Sequence, residues 1–321
     1  MYRYRVITDL DACRDLWQRA VVQESFTDRW DVRMCFQRHF QRAPLFIAAE
    51  EDSLVRGLLP LSWIAEGGCY GYFPGETWGG KTWLEQNRLI AGDEAMLEGL
   101  LALCPGPRHL RYLLPAGNGA TDRCEIDEIG YLFEPPRYGY DMENYWGGEF
   151  SHKSAKRIRR ELDAFEQRVT WRLDDAADFD RMVELNLAAF GERSYFADGR
   201  FREGFRSLME LARANGWLRM TALLVDGQAA AVDMGIVYNN HYTLVAGGAD
   251  RCVQGAAKLI NVYHMRRGCR ERFDRLDFLC GDFSWKTLFH LTPRPLYLLS
   301  NIPHHAEHAC HEESRSAACA K

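Results

Sequence analysis

Two carboxylates and a lysine near the C-terminal end of the chain are spaced for chemistry on a carbonyl. Asp277 and Asp282 bracket the end of the run Arg275-Leu-Asp-Phe-Leu-Cys-Gly-Asp282, and Lys286 follows four residues later. In open α/β sheets ligands bind beyond strand ends. A carboxylate there can take the proton of an amine as it attacks a thioester or ester. Asp282 lies past the strand and is better placed for this than Asp277 inside it. Lys286 can hold a substrate phosphate or steady a developing oxyanion. The plainer alternative is that Asp282 caps a turn and Lys286 is a solvated charge.

A second base candidate is Asp233, in the otherwise apolar run Ala229-Ala-Ala-Val-Asp-Met-Gly-Ile-Val237. Alternation places Ala231, Asp233 and Gly235 on one face. A charge in mid-sheet is costly unless paired or solvated, so Asp233 faces a cleft, pairs with a basic group, or sits at an exposed edge. Tyr242 opens the next strand and is placed to assist a leaving group or oxyanion.

Upstream of Asp277, Arg251 and Gln254-Gly255-Ala256-Ala-Lys258 precede and open a helix. Backbone N–H groups at a helix N-terminus bind anions, and glycine lets a phosphate approach closely. Arg251 and Lys258 add charge. A strand-to-helix turn that needs glycine only for its backbone angles would look the same. A further anion site is suggested at Ser151–Phe165. Ala155, Ile158, Leu162 and Phe165 form an apolar stripe there, while Lys153, Lys156, Arg157 and Arg160 form a separate basic one. Four like charges on one stripe of an acidic chain point to an anionic partner. The partners open to it are a nucleotide-sugar diphosphate, a polyprenyl phosphate, a tRNA arm and an anionic membrane surface. A solvated face balanced by Glu161 and Asp163 is the alternative.

The elements that must position these residues can be read from periodicity. Strands are expected at Tyr2–Ile7, Leu45–Glu50, Val55–Trp63, Leu110–Leu114 and Tyr131–Asp141, and helices from an N-cap at Asp9 or Asp11 to about Gln23, at Arg29–Gln41 and at Asp93–Leu103. Pro60 suits a bulge or an edge, and the Gly- and aromatic-rich Tyr70–Trp83 reads as strand plus loop, its rings in the core or stacked on a ligand. A linker is expected near Asn144–Ser151. The order then restarts. Helices are expected at His152–Gln167, Ala177–Phe190, Arg200–Asn215 and Ala256–Phe273. Strands are expected at Thr170–Leu173, Leu218–Val225, Ala229–Val237, Tyr242–Gly247, Leu276–Leu279 and Leu296–Leu299. Asp226-Gly227 is a hairpin signal. Both halves read strand, two helices, hairpin, strand, helix, strand. The expected fold is α/β (α+β), with two domains, 1–147 and 148–302, and a polar tail, 303–321.

Composition narrows the function classes. A net charge of −5 over 321 residues argues against nucleic-acid binding over the whole surface. Ten scattered cysteines without a CxxC pair suit reduced thiols in a cytosol. Met1-Tyr-Arg-Tyr-Arg5 leads into no apolar segment, and no run of about 18 apolar residues occurs, so a cytoplasmic protein is expected, with peripheral contact at the inner membrane face left open. The tail holds His304, His305, His308, Cys310 and His311 in no zinc-ligand spacing, so no metal is expected. No G-x-S-x-G occurs to support hydrolase chemistry.

Leu244-Val-Ala-Gly-Gly-Ala-Asp250, Gly255-Ala-Ala-Lys-Leu259 and Asp277-Phe-Leu-Cys-Gly-Asp282 with Trp285-Lys286 together resemble the GNAT-fold acyltransferase superfamily, in its FemAB-like and BioF2/CelD-like branch. The usual pyrophosphate signature of acetyltransferases is met only in part, at Gln254-Gly255-Ala256. The resemblance covers about residues 150–300 and extends to the N-terminal half by element order alone. It implies tandem GNAT-like domains, each a mixed central sheet flanked by helices. The implied activity is N-acyl transfer from acyl-CoA or a similar donor to an amine on a small molecule, glycan or lipid, in cell-envelope or exopolysaccharide metabolism. Its donor would lie at Arg251, Gln254, Gly255, Ala256 and Lys258, and Asp282 or Asp233 would serve as base with Tyr242 and Lys286 assisting. It equally allows an aminoacyl-tRNA donor, or an inactive binding module of the same fold.

Overall fold

The computed structural model describes residues 2–115, 124–281 and 283–302. The chain divides into two compact units. The first comprises Met1–Gln23, Thr27–Asp127 and Pro295–Lys321, and the second Glu24–Phe26 and Glu128–Arg294.

In the first unit β1 (Arg3–Ile7) leads to α1 (Leu10–Ala20), which is capped by the Asp9 carboxylate accepting from the Ala12 N–H. Then come α2 (Trp30–Phe40), β2 (Pro44–Glu51), β3 (Leu54–Ile64) and β4 (Cys69–Tyr72). β5 (Thr77–Trp78) and β6 (Lys81–Thr82) form a small hairpin, followed by α3 (Glu94–Ala102) and β7 (His109–Leu113). The sheet order is β1-β2-β3-β4, every pair antiparallel. The β2–β3 turn places Asp52 and Ser53 at positive φ, the paired left-handed geometry that matches strand twist. The core gathers Leu16 and Trp17 of α1, Phe46–Ala49 of β2, Leu58, Leu59 and Leu61 of β3 and Met96, Leu97, Leu100 and Leu101 of α3.

Pro60 departs from expectation. It lies neither at an edge nor at a bulge but opposite Phe46 in β3, which pairs on both sides. Its carbonyl accepts from the Phe73 N–H, so its missing donor points the same way, past the end of β4 where no ladder partner is needed.

The second unit begins with the latter part of β8 (Glu125–Phe133). The strand expected at Tyr131–Asp141 therefore starts earlier and is stopped by Pro135-Pro136, which opens a 3-10 turn. The expected linker is also helical: α4 (Met142–Glu149) is capped by Asp141 and buries Tyr145 and Trp146. Next come α5 (His152–Glu166), β9 (Val169–Leu173), α6 (Asp178–Phe190) and α7 (Gly199–Ala214). They are followed by β10 (Leu218–Val225), β11 (Gln228–Tyr238) and β12 (His241–Ala249), then α8 (Ala256–Glu271), β13 (Arg275–Asp277) and a short α9 (Ser284–Leu288). β14 (Thr292–Ser300) closes the described chain, and its part beyond Arg294 pairs with β7 in the first unit.

The second unit's sheet runs β8-β13-β12-β11-β10-β9. It is mixed, since β12 and β13 are parallel while their neighbours pair antiparallel. Helix α6 packs so closely on one face that a side chain at Gly248 would strike Met182, Leu185 and Asn186. On the other face Leu259, Ile260 and Met265 of α8 and Ile158 and Leu162 of α5 cover Leu223, Ala231 and Tyr242. A chain that runs strand, two helices, hairpin, strand thus occurs twice: β1-α1-α2-β2-β3-β4 and β9-α6-α7-β10-β11-β12.

Candidate active site

β12 and β13 are paired only from His241↔Arg275 to Thr243↔Asp277. β13 then ends, while β12 runs on to Ala249. The two parallel strands therefore open toward their C-terminal ends. One side of the opening is β12 beyond Thr243, and the other is the irregular segment Phe278–Gly281, in which Leu279 and Gly281 have positive φ. β12 is bulged opposite Met234/Gly235, where one extra residue re-aims the strand.

The turn after β12 feeds α8 through Gly255, whose φ of 94 is open to glycine and strained for other residues. No side chain caps this helix, and its first turn holds no acid. Four N–H groups at such a terminus lack intrahelical partners, and the helix field there favours an anion. Of the residues expected around it, Gln254, Gly255 and Ala257 are exposed and Ala256 is buried. Arg251 is exposed with its guanidinium 5.5 Å from the Phe190 ring centre, and Lys258 reaches Glu161 of α5 at 3.5 Å.

Asp233 is not at an exposed edge. β11 is flanked by β10 and β12, and the residue is buried. Nor, among the described residues, does it meet an arginine or lysine. Its Oδ2 lies 2.9 Å from Nε2 of His264 on α8, and Nδ1 of the same ring lies 3.1 Å from the Tyr242 hydroxyl. All three side chains are buried. Two glycines make room. A side chain at Gly247, directly across from Asp233, would overlap its Oδ1, and one at Gly235 would overlap the Tyr242 ring. Burial, then the charge of Asp233, pushes the Tyr242 phenol well above its ordinary range, so the phenol keeps its proton. A carboxylate oxygen accepts, so Nε2 donates to it, and a neutral ring then leaves Nδ1 to accept from the phenol. The array is therefore Tyr242 O–H to Nδ1 and Nε2–H to Asp233.

Tyr242 and Asp233 are thus brought together, by a histidine that the sequence reading missed. A signal for it existed. Ala256, Ile260, His264 and Gly268 recur every fourth residue along the buried side of α8, and a histidine in such a stripe needs polar partners.

Lys286 is not a solvated charge. It is buried, donates to the carbonyls of Leu279 (2.9 Å) and Cys280 (2.8 Å), and lies over the Tyr131 and Phe283 rings. It braces the segment that forms one side of the opening. Asp277, also buried, pairs with Arg294 at 2.8 Å and accepts from the Leu279 N–H. Asp282 lies outside the described residues, as do the histidines of the tail.

On α5, Lys153, Lys156, Arg157 and Arg160 line an open surface hollow with Ser154. The acids expected to balance them face elsewhere: Glu161 meets Lys258 and Asp163 meets Arg266. Among the described residues no ion pair involves any of the four. Three of them stand in the first two turns of the helix, where its own field disfavours cations. Among the described residues no cluster of three or more His, Cys, Asp or Glu is arranged to hold a metal, and no helix is long and apolar enough to cross a membrane.

Residues 152–287 match the acetyltransferase (GNAT) domain family. No curated protein matches the chain by sequence. Among solved structures, FemX superimposes with a TM-score of 0.57 at 10% identity over 95% of this chain and 99% of its own. The C-terminal domain of a candidate lysylphosphatidylglycerol synthetase from Agrobacterium fabrum gives 0.56 at 11%, over 94% and 96%. L-PGS from Bacillus licheniformis gives 0.56 at 9%, over 89% and 96%. At these identities the likeness is one of fold. The stretch that matches the GNAT acetyltransferase domain family, residues 152–287, contains α5, the β12–β13 opening and α8.

Proposed function

We propose that this chain transfers an acyl group from an activated donor, acyl-CoA in the first instance, to an amine. The observation that carries the reading is the juxtaposition of the β12–β13 opening with the uncapped, acid-free start of α8. Donor phosphates would take the free N–H groups there, with Arg251, Gln254 and Lys258 beside Gly255 and Ala256. The acyl carbonyl would enter the opening. The amine would attack it and pass its proton to Asp233 or Asp282, and Lys286 would hold the far side in place. Tyr242 would act through His264. A lipid- or glycan-linked amine in cell-envelope chemistry is the acceptor class that the resemblance favours. The reaction would run in the cytoplasm or at the inner membrane face.

A second reading, an aminoacyl-tRNA donor, is favoured by one observation: the four cations of α5 that line one hollow and have no ion pair among the described residues. A polyanion bound there would release counterions and lose affinity steeply with salt.

Thermal shift and calorimetric titration with acetyl-CoA and longer acyl-CoAs test the first reading, on the wild type and on Gly255→Trp. A donor at a hundred times its Kd should stabilise the native state by about 2.7 kcal/mol, and the variant should lose that gain. Absence of stabilisation by every acyl-CoA would end the acyl-CoA version. RNA binding at graded salt would then separate the aminoacyl-tRNA donor from an inactive binding module.

A further inference from the structure

Asp233 uses one oxygen in the array and leaves the other without a partner. Among the described residues Oδ1 makes no hydrogen bond. It is also absent from the sealed, unpartnered side-chain atoms of the molecule, so the 8% of the side chain that stays exposed includes it. Oδ1 occupies the space that a side chain at residue 247 would fill. Gly247 is itself partly exposed, and it stands on β12 four residues beyond Thr243, the last residue paired to β13. The free oxygen therefore lies against the strand that forms one side of the opening, while His264 and Tyr242 are sealed behind it.

We propose that His264 is a positioning residue: held by the Tyr242 hydroxyl at one nitrogen, it fixes Asp233 through the other, so that Oδ1 faces the opening and takes the proton of the attacking amine. This rests on the acyl-transfer reading. In the step, the amine nitrogen bonds to the acyl carbon, and the bond from that carbon to the leaving sulfur or oxygen breaks with its electron pair. The amine proton moves to Oδ1 and later passes to the leaving group, which restores the carboxylate. The other charged or titratable groups that act on the array are Arg267 and Tyr263 on α8 and Arg219 on β10. Arg267 is committed to Glu271 at 2.6 Å. Among the described residues no arginine or lysine pairs with the carboxylate, and the imidazole is what sets its orientation.

Two measurements on the full chain test the proposal. Nitrogen-15 NMR of histidine-labelled protein, without ligand at neutral pH, should show His264 as the neutral Nε2–H tautomer, with an exchange-protected proton that Asp233→Ala removes. An Nδ1–H tautomer or a doubly protonated ring would overturn the array. Kinetics with acetyl-CoA and a panel of primary amines, on His264→Ala and His264→Gln, then test its use. Glutamine keeps an N–H near the place of Nε2. Alanine should lower kcat roughly 10- to 100-fold, part of the roughly 100- to 10,000-fold that a placed proton-transfer group contributes. Glutamine should recover much of that loss, with KM and the acetyl-CoA melting shift unchanged in both. Equal losses in the two variants would mean that His264 only fills space, and would overturn the positioning role. A wild type that neither binds nor turns over acetyl-CoA would instead defeat the acyl-CoA reading, and the tautomer would then decide the array by itself.

Discussion

In the first unit the buried charges come in both signs. Arg33 of α2 is 1% exposed and donates to the carbonyls of Thr27 (2.7 Å) and Phe73 (2.8 Å), its guanidinium between the rings of Trp17 and Tyr72. Burial pulls this guanidinium below its ordinary range, while Tyr72, Glu76 and Asp28 work against that. Asp28 pairs with Arg88, and Glu76 takes three hydrogen bonds on one oxygen, from Thr82, Trp83 and Leu84. In the second unit the buried carboxylate of Asp233 has, among the described residues, an imidazole for its only polar partner and an oxygen to spare. The first arrangement is charge offset by charge and by fixed donors, which holds loops to a core. The second keeps an acceptor open beside a strand opening. Burial of a charge does not mark a site; an unused valence at a place a ligand can reach is the better sign.

The comparison fails most visibly if Arg33 proves dispensable. Arg33→Leu leaves the carbonyls of Thr27 and Phe73 without their donor and removes a cation that acts on Glu76 and Asp28. Breaking a buried charged arrangement from one side costs about 3–5 kcal/mol, which urea unfolding should show as a lower midpoint at unchanged slope. Asp233→Asn, in contrast, still accepts from the His264 Nε2–H and should change stability by less than about 1 kcal/mol. Equal losses in the two variants would mean that both clusters are structural.

Much of this was legible before the structure. Of the two N-cap candidates Asp9 and Asp11, Asp9 caps α1, and the Asp226-Gly227 turn falls between β10 and β11 as expected. Asp233 stood out because a charge in an apolar strand needs a reason. Helix α4 was hidden because Gly147-Gly148 and few apolar positions give it no period, and only its packing through Tyr145 and Trp146 makes it a helix. His264 was harder to pick out for the opposite reason. α8 is buried on several sides, so the stripe that holds His264 is only one of several apolar rows along it. The Tyr242–His264–Asp233 contacts also join residues 22 and 31 positions apart, and no local pattern carries that information.

Glu76 sharpens the comparison through pH. Burial raises its carboxyl above the ordinary 4.5, against the Thr82 hydroxyl, the Leu84 N–H and the charge of Arg33. A carboxyl raised on folding favours the native state while protonated. Measured against Glu76→Gln, the wild type should therefore hold its advantage below about pH 4.5 and lose it as pH rises through the elevated folded value. Urea midpoints of both proteins across that range give the difference directly. A difference that grows with pH instead would mean that the surrounding donors and Arg33 outweigh burial. Glu76 would then be a stabilising anion, and the contrast with Asp233 would be wider still.

The smallest effect concerns Thr221 of β10, the cross-strand partner of Asp233 on the same face of the sheet. Its hydroxyl is sealed from solvent without a hydrogen bond. An unpaired buried hydroxyl is a cost, and replacing it by a methyl of the same shape removes that cost. Thr221→Val should therefore leave stability unchanged or raise it by up to about 1 kcal/mol, and should leave the His264 tautomer as in the wild type. If the variant instead disturbs the tautomer or lowers turnover, the hydroxyl reaches Asp233 in solution. The array would then extend across three strands, and Asp233 would be held from two sides, closer in kind to the offset charges of the first unit.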